Sequence, residues 1–181
     1  MLNEKLMCAG FGGQGVMSLG MLLAYSGMLE KKYVSWLPSY GAEMRGGTAN
    51  CTVIVSEKPI GAPVIDDDAS TVIVMNLPSL LKFEDDLINN GNLLINSSLI
   101  DKKATRQDVK AYYIPCNDIA AEVGNMKASN LVMLGAFIEI TKTVQMESVI
   151  TALRQVFGVS KEKFMPLNEK ALRRGAMVVR S

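Results

Sequence analysis

The chain has 181 residues, of which 49% are hydrophobic and 20% charged, a balance typical of a packed globular protein rather than a disordered chain. It contains no histidine, which excludes an imidazole base, a histidine-dependent nucleophile and a histidine-ligated metal. The net charge of +1, from 19 basic and 18 acidic residues, lacks the basic excess expected of a general nucleic-acid-binding protein.

The first half of the chain alternates apolar stretches with turns rich in glycine and proline. In chain order, these stretches predict a strand at 5–9, a glycine turn at 10–15, an apolar helix at 16–30, a strand at 33–37 ended by Pro38, an exposed loop at 39–47, and strands at 48–56 and 71–75. The β-branched stretch at 48–56 is followed by Pro59, Gly61 and Pro63, which favours an antiparallel strand pair in this region.

The second half continues the alternation and then becomes helical. A helix with Pro78 in its first turn is predicted to run to about residue 89, followed by a turn at 89–92 and strands at 93–95 and 111–114. Four helices follow, at 117–123, 129–142, 145–157 and 161–175. Asn117 or Asp118 is expected to cap the first of these helices, and Ser129 or Asn130 the second.

This order of elements predicts an α/β fold. We expect a Rossmann-like, mainly parallel sheet with helices on both faces, an inserted antiparallel strand pair and a helical C-terminal third. In such a sheet, the binding crevice lies at the carboxyl ends of the strands. The length and the lack of a linker or internal repeat fit one domain over residues 1–181.

Three cysteines, Cys8, Cys51 and Cys116, are too far apart in sequence for a CxxC pair or for the cysteine run of an iron–sulfur cluster. Cys8 and Cys51 lie in predicted strands and are expected to be buried, whereas Cys116, directly after Pro115, is expected to be more accessible. The odd count favours no disulfide framework, the first residues lack a signal-peptide profile, and no apolar stretch reaches about 18 residues. We therefore expect a cytoplasmic protein without a membrane span.

Gly10, Gly12 and Gly15 form a GxGxxG pattern between a predicted strand and a predicted helix. Glycines allow a tight turn, and the free N–H groups of a helix N-terminus attract an anion such as phosphate. An NAD site also needs an acidic residue at the end of the second strand, and the chain has none between Val34 and Pro38. Three interpretations follow: a structural turn, a loop that contacts a partner's ligand, or an autonomous dinucleotide site.

The second candidate site is the loop that contains Tyr40, Glu43, Arg45, Gly46 and Gly47. The guanidinium of Arg45 can bind a phosphate or carboxylate through two hydrogen bonds, and the glycine pair lets a ligand or a neighbouring chain approach the backbone. The alternative is a solvated turn with a local ion pair between Glu43 and Arg45.

Together with three further stretches, these two loops resemble the gamma subunit of 2-oxoacid:ferredoxin oxidoreductases, a family that includes pyruvate, 2-oxoglutarate and 2-ketoisovalerate oxidoreductases. The matching stretches are GFGGQGV at 10–16, SYGAEMRGGT at 39–48, the strand end at 55–56, KASNLVMLGA at 127–136, and residues 168–175. Because the resemblance covers nearly the whole chain, residues 1–181 are identified as a single gamma-type domain.

The resemblance implies one component of a heteromeric enzyme that oxidatively decarboxylates a 2-oxoacid to acyl-CoA, CO2 and reduced ferredoxin. It places thiamine diphosphate with Mg2+ in partner alpha and beta subunits, and iron–sulfur clusters in partners that include a ferredoxin-like delta subunit or domain. Coenzyme A is implied as a co-substrate. The present chain would bind no cofactor alone, supply no catalytic residue or metal ligand, complete the complex and shape the coenzyme A side of the active site.

At the matching positions, the residues expected to contact a ligand or a partner are Gly12, Gly13, Gln14, Gly15, Tyr40, Glu43, Arg45, Gly46 and Gly47. The glycine loop and Arg45 are expected to face a partner subunit or a coenzyme A phosphate, while Tyr40 and Glu43 order their loop. A subunit of indolepyruvate ferredoxin oxidoreductase and an autonomous Rossmann-type nucleotide-binding protein are the alternatives. We also expect that the isolated chain can form homo-oligomers when its partners are missing.

Overall fold

The structure is a computed structural model that describes residues 2–39, 48–158 and 163–180. Within these ranges, the strands are β1 (Asn3–Phe11), β2 (Tyr33–Ser39), β3 (Thr48–Ser56), β4 (Ala69–Val74), β5 (Leu87–Asn96) and β6 (Lys110–Ile114). The helices are α1 (Val16–Leu29), α2 (Leu77–Phe83), α3 (Cys116–Val123), α4 (Ser129–Thr141), α5 (Met146–Phe157) and α6 (Met165–Val178), and short 3-10 turns occupy Glu84–Asp86 and Met126–Ala128.

The described strands form one mixed sheet in the order β2-β3-β1-β4-β5-β6. Strands β1, β4, β5 and β6 are parallel to one another, whereas β3 runs antiparallel to both of its neighbours, β1 and β2. The predicted α/β class is therefore confirmed. The antiparallel strand is β3, which pairs with both β1 and β2, whereas the stretch with Pro59, Gly61 and Pro63 that follows it forms no strand. Strand β3 separates β2 from β1, although it follows both of them in the chain.

Side chains of the strands alternate between two cores, one on each face of the sheet. On β1, Leu6 and Cys8 belong to the larger core, whereas Met7 and Ala9 belong to the smaller one. Residues of α1, α3, α4, α5 and α6 close the larger core, and α2 with the connections between strands closes the smaller one. Both faces of the sheet thus carry helices, and the helical C-terminal third packs on the larger core.

Helices α4 and α6 pack with their backbones in close contact. Gly135 of α4 faces Leu172, Gly175 of α6 faces Val132, and a Cβ atom at either glycine would overlap the carbonyl oxygen of the facing residue. Only glycine lets two backbones approach this closely. The stretches 127–136 and 168–175, which contribute to the family resemblance, therefore include a packing contact between two helices.

The chain after Pro78 differs from the prediction. Helix α2 ends at Phe83, and Leu87–Asn96 forms strand β5, so the helix predicted to reach residue 89 and the turn predicted at 89–92 are wrong. The carboxylate of Glu84 accepts hydrogen bonds from two backbone N–H groups of the β5–β6 connection, at 2.6 and 3.0 Å. Asn90, at φ 62°, donates its backbone N–H to the same connection at 2.7 Å. The polar run is therefore an irregular segment of a strand.

Two further predictions are wrong. Pro38 lies inside β2 rather than after it, because β2 is at the edge of the described sheet, where the missing N–H of proline is tolerated. Cys116 is fully buried rather than accessible, because it begins α3 and its side chain packs into the larger core. Its backbone N–H donates to Oδ1 of Asn96 at 3.3 Å, which fixes the start of the helix against the end of β5.

Candidate functional site

The predicted glycine loop connects the carboxyl end of β1 to α1. Gly13 and Gly15 have φ values of 93° and 77°, a region that residues with a Cβ atom rarely adopt. Gly10 is needed for space, because a Cβ atom there would lie 2.7 Å from Oε1 of Gln14 and 2.9 Å from Cβ of Met75. The loop is therefore a tight turn between strand and helix, as the sequence predicted.

Gln14 ties the glycine loop to the end of β4. Its Oε1 accepts a hydrogen bond from the backbone N–H of Phe11 at 2.6 Å, and its Nε2 donates to the carbonyl oxygen of Met75 at 3.1 Å. Both halves of the side-chain amide are thus engaged in holding the loop. This arrangement stiffens the turn before any ligand or partner arrives.

Asn130 holds the other side of the glycine loop. Its Nδ2 donates to the carbonyl oxygen of Gly15 at 3.1 Å, and a Cβ atom at Gly15 would lie 2.6 Å from that nitrogen. The predictions that Ser129 or Asn130 caps α4 and that Asn117 or Asp118 caps α3 are wrong, since the N-cap residues are Ala128 and Pro115. The first N–H groups of α3 donate instead to Oδ1 of Asn96 and Oγ of Ser98. Asn130 lies in the first turn of α4 and is used for a tertiary contact instead.

The N-terminus of α1 is open to an anion. Its first intrahelical hydrogen bond joins the N–H of Leu19 to the carbonyl oxygen of Gly15 at 2.9 Å, so the three preceding N–H groups have no acceptor within the helix. Among the described residues, no side-chain hydrogen bond caps this helix at Gly15, and its first turn contains no acidic residue. The partial positive charge of the helix end is therefore not neutralised within the described part of the chain.

A cavity of about 730 Å³ lies beside the glycine loop. Its walls come from the loop, the start of α1, the α3–α4 connection and α6, and they include Gly13, Gly15, Ser18, Lys127, Asn130 and Phe164. Nδ2 of Asn125 donates to Oδ1 of the buried Asn168 at 2.9 Å, which joins the α3–α4 connection to α6. Lys127 is exposed at this cavity and supplies a positive charge. The volume suits a small organic ligand.

The second candidate loop lies outside the described residues. It contains Tyr40, Glu43, Arg45, Gly46 and Gly47. The residues that flank it are described: Ser39 pairs with Asn50, and Thr48 pairs with Phe11. Both ends of this segment therefore join the sheet at the edge where β1 enters the glycine loop.

The described strands at this edge do not have the order that an autonomous NAD site requires. In that site, the acidic residue that binds the ribose lies at the end of the strand following the glycine helix, parallel to β1 and next to it. Here the neighbour of β1 on that side is the antiparallel strand β3, and β2 is one strand further away. The lack of an acid in β2, noted from the sequence, thus coincides with a different strand order.

Outside the glycine loop, the described residues include a buried carboxyl group, but they offer neither a group of metal ligands nor a membrane-spanning helix. Burial raises the pKa of Glu4, but this carboxyl group lies at the amino end of β1. Within the described ranges, no three His, Cys, Asp or Glu side chains are grouped so as to hold a metal ion. No helix among the described residues is long and apolar enough to cross a membrane.

Sequence reasoning did not find the contributions of Lys127, Asn130 and Asn168 to this site. Their stretches were noted for the family resemblance, but nothing local in the sequence connects them to the glycine loop. The contact between Asn130 and Gly15 is formed by tertiary packing, as is the position of Asn168 against Asn125.

The family model described as pyruvate ferredoxin/flavodoxin oxidoreductase matches residues 5–178. Ketoisovalerate oxidoreductase subunit VorA of Methanothermobacter thermautotrophicus is 36% identical over 173 residues, covering 95% of this chain and 35% of VorA. The 2-oxoglutarate synthase subunit KorC of Methanocaldococcus jannaschii is 33% identical over 156 residues, covering 84% of this chain and 82% of KorC. The chain thus spans about a third of the length of VorA but most of the length of KorC.

A solved structure gives the same result for the fold. The gamma subunit of a keto/oxoacid ferredoxin oxidoreductase from Geobacter sulfurreducens has a TM-score of 0.84 with this chain at 26% identity, covering 98% of both chains. The resemblance to gamma subunits that the sequence indicated is therefore confirmed.

Proposed function

Because this chain belongs to the pyruvate ferredoxin/flavodoxin oxidoreductase family, we propose that it is the gamma subunit of a heteromeric 2-oxoacid:ferredoxin oxidoreductase. Such an enzyme converts a 2-oxoacid and coenzyme A to acyl-CoA and CO2 and passes the electrons to ferredoxin. In this proposal, residues 1–181 form one gamma-type domain. Relatives such as KorC have a similar length, whereas VorA matches over part of a longer chain.

The described residues offer no grouped ligands for a metal ion or an iron–sulfur cluster. The three cysteines are buried as the neighbouring Cys8 and Cys51 and the separate Cys116. In this proposal, which follows the family resemblance, thiamine diphosphate, Mg2+ and the iron–sulfur clusters are bound by partner alpha, beta and ferredoxin-like delta subunits. The role of this chain is then to complete the complex and to contribute binding groups for the co-substrate.

The observation that carries the proposal is the open N-terminus of α1 behind Gly15. This helix end has three backbone N–H groups without intrahelical acceptors, and it contributes Ser18 to a cavity that the basic residue Lys127 also lines. Phosphate groups bind well at such helix ends, especially with a cation nearby. Coenzyme A is the phosphate-bearing substrate of the proposed reaction, so the glycine loop and Lys127 bind one of its phosphates. Arg45, outside the described residues, keeps its predicted role of contacting a coenzyme A phosphate or a partner subunit.

Partner docking is supported by exposed apolar side chains around the same loop. Phe11, Met126 and Phe164 are 40%, 72% and 41% exposed, and the last two line the cavity. Apolar and aromatic side chains of this kind are enriched in protein interfaces. We place the alpha and beta subunits against this rim, which closes the cavity around the co-substrate.

Affinity purification of the tagged chain from its own organism, without oxygen, tests the proposal. We expect it to recover larger subunits that carry thiamine diphosphate and iron–sulfur clusters, with 2-oxoacid- and coenzyme A-dependent ferredoxin reduction. Arg45→Ala is expected to raise the coenzyme A requirement or to weaken assembly without unfolding the chain. Recovery of the chain without such subunits, or unchanged kinetics and assembly in Arg45→Ala, contradicts the corresponding part of the proposal.

The same preparation identifies the substrate. Relatives named for ketoisovalerate, for 2-oxoglutarate and for pyruvate together with ketoisovalerate are 36%, 33% and 32% identical to this chain, a range too narrow to choose among these substrates. Ferredoxin reduction is therefore compared with each of these 2-oxoacids and with an aryl 2-oxoacid, and the highest kcat/KM names the substrate.

A further inference from the structure

Two cysteines face each other beneath the glycine loop. Cys8 of β1 and Cys51 of β3 are directly opposite partners in the antiparallel register, and both are fully buried in the larger core. Opposite residues in an antiparallel pair have Cα atoms about 4.5–5.5 Å apart. A disulfide spans Cα separations of about 4.4–6.8 Å. The backbone therefore already has the spacing that a bond between the two sulfurs requires.

The pair lies directly under the first turns of α1. The thiol of Cys51 donates a hydrogen bond to the carbonyl oxygen of Val16 at 3.4 Å. A Cβ atom at Gly20 would lie 2.6 Å from Sγ of Cys51 and 3.0 Å from Nε1 of Trp36. Glycine at this position thus makes room for the sulfur and the indole, and Trp36 is the only tryptophan of the chain.

The two thiols are chemically unequal. A hydrogen bond between them raises the pKa of Cys8, to which burial adds, and the same hydrogen bond lowers the pKa of Cys51. Because the thiolate is the reactive form of cysteine, Cys51 is the better nucleophile of the pair. Cys116 is a separate case, since burial alone raises its pKa and it has no cysteine partner.

We propose that Cys8 and Cys51 form an oxidisable dithiol that hydrogen peroxide converts to a cross-strand disulfide. The Cys51 sulfur attacks one peroxide oxygen, the O–O bond breaks, and the leaving hydroxide takes a proton to form water, which leaves Cys51 as a sulfenic acid. The Cys8 sulfur then attacks the Cys51 sulfur, the S–O bond breaks, and hydroxide leaves with the Cys8 proton as a second water. Two thiols are oxidised to one disulfide, and one peroxide is reduced to two waters.

The position of the pair connects its oxidation state to the candidate site. Only Ala9 separates Cys8 from Gly10, and Ala49 and Asn50 separate Cys51 from Thr48, where the second candidate loop ends. A disulfide has no thiol hydrogen, so oxidation removes the donor that now binds the carbonyl oxygen of Val16. This site is independent of the proposed function, which assigns no role to either cysteine.

Peptide mapping of the full chain tests the proposal. The reduced chain is treated with hydrogen peroxide, then denatured, alkylated with iodoacetamide and digested. We expect loss of alkylation at Cys8 and Cys51 together, a linked pair of their peptides lighter by two hydrogens, retained alkylation at Cys116, and reversal by dithiothreitol. Full alkylation of Cys8 and Cys51 after peroxide treatment, or a link that involves Cys116, overturns the proposal.

Tryptophan fluorescence provides a second readout without digestion. A disulfide beside Trp36 is expected to quench its emission reversibly in the wild type and in Cys116→Ala, but not in Cys51→Ala or Cys8→Ala. Circular dichroism before and after oxidation establishes that each sample is folded. Equal peroxide-induced quenching in the folded Cys51→Ala variant contradicts the assignment, and the wild-type peptide map decides if that variant does not fold.

Discussion

Nδ2 of Asn130 donates a hydrogen bond of 3.1 Å to the carbonyl oxygen of Gly15, the residue from which α1 begins. The same carbonyl oxygen accepts the first intrahelical bond of α1 from Leu19. The first turn of α4 therefore fixes the start of α1 and, with it, the direction of the free N–H groups at the cavity. This contact joins the stretch 127–136 to the glycine loop, two of the stretches that carry the family resemblance.

Asn130→Ala is expected to lower the free energy of unfolding by about 1–2 kcal/mol, because it removes a partly buried hydrogen bond at the start of α1. Urea unfolding followed by circular dichroism measures the change. Asn3→Ala, at an exposed asparagine of β1, is the matched control and should leave the midpoint almost unchanged. Equal midpoints for the two variants would show that the contact adds nothing to stability.

Gly135→Ala and Gly175→Ala are each expected to destabilise the chain by about 3 kcal/mol or more, because α4 and α6 must separate to admit the new methyl group. Gly61→Ala is the control, since a Cβ atom there meets no atom within 4 Å. Thermal unfolding of the three variants checks the prediction. A Tm for Gly135→Ala equal to that of Gly61→Ala contradicts the described helix contact.

Lys127→Met is expected to raise the KM for coenzyme A about tenfold in the assembled enzyme, since the loss of a charge-assisted contact to phosphate costs about 1.4 kcal/mol. Its kcat is expected to stay near the wild-type value, because the lysine only binds the co-substrate. Lys110→Met, at the amino end of β6, should change neither parameter. A KM that is the same in both variants excludes Lys127 from the phosphate site.

Glu139 is expected to make stability depend on pH. Hydrogen bonds from Arg180 and Lys142 lower the pKa of its carboxyl group to about 2, whereas an unfolded glutamate titrates near pH 4.3. The ionised group therefore stabilises the fold above about pH 4.3, and this stabilisation is lost as the pH falls towards 2. Glu139→Gln should cost about 1 kcal/mol at pH 7 and nothing near pH 2.

Urea titrations of the wild type and Glu139→Gln at several pH values measure this difference. The two curves should converge on acidification. A difference that is constant from pH 7 to pH 2 would assign the effect to packing of the side chain rather than to its charge.

Local sequence patterns were sufficient for the core of the fold. The apolar run before Gly10 and the helical spacing after Gly15 predicted β1, the turn and α1, because burial and glycine conformation are decided by neighbouring residues. The polar run 89–92 has the composition of a turn but forms part of β5, since its backbone groups are satisfied by strand pairing and by the β5–β6 connection. Tertiary contacts, rather than local propensity, decide such segments.

The sequence predicted the glycine loop of the candidate site but not the residues that pack around it. The glycine loop is encoded in adjacent residues, but Asn130, Asn168 and Lys127 reach it through the packing of α4 and α6. The order of strands was also beyond local patterns, because β3 enters the sheet between β1 and β2. Cys8 and Cys51 lie opposite each other because of that strand order. Their separation of 43 positions in the sequence does not predict this contact.

Ferredoxin reduction, dependent on a 2-oxoacid and coenzyme A, tests the central claim most directly when it is measured for three preparations. These are the present chain alone, the partner subunits without it, and the reconstituted mixture. We predict no turnover by the chain alone, impaired turnover by the partners, and restored activity in the mixture. Oxidation of substrate by the purified chain alone, with a redox cofactor that it binds itself, would contradict the assignment.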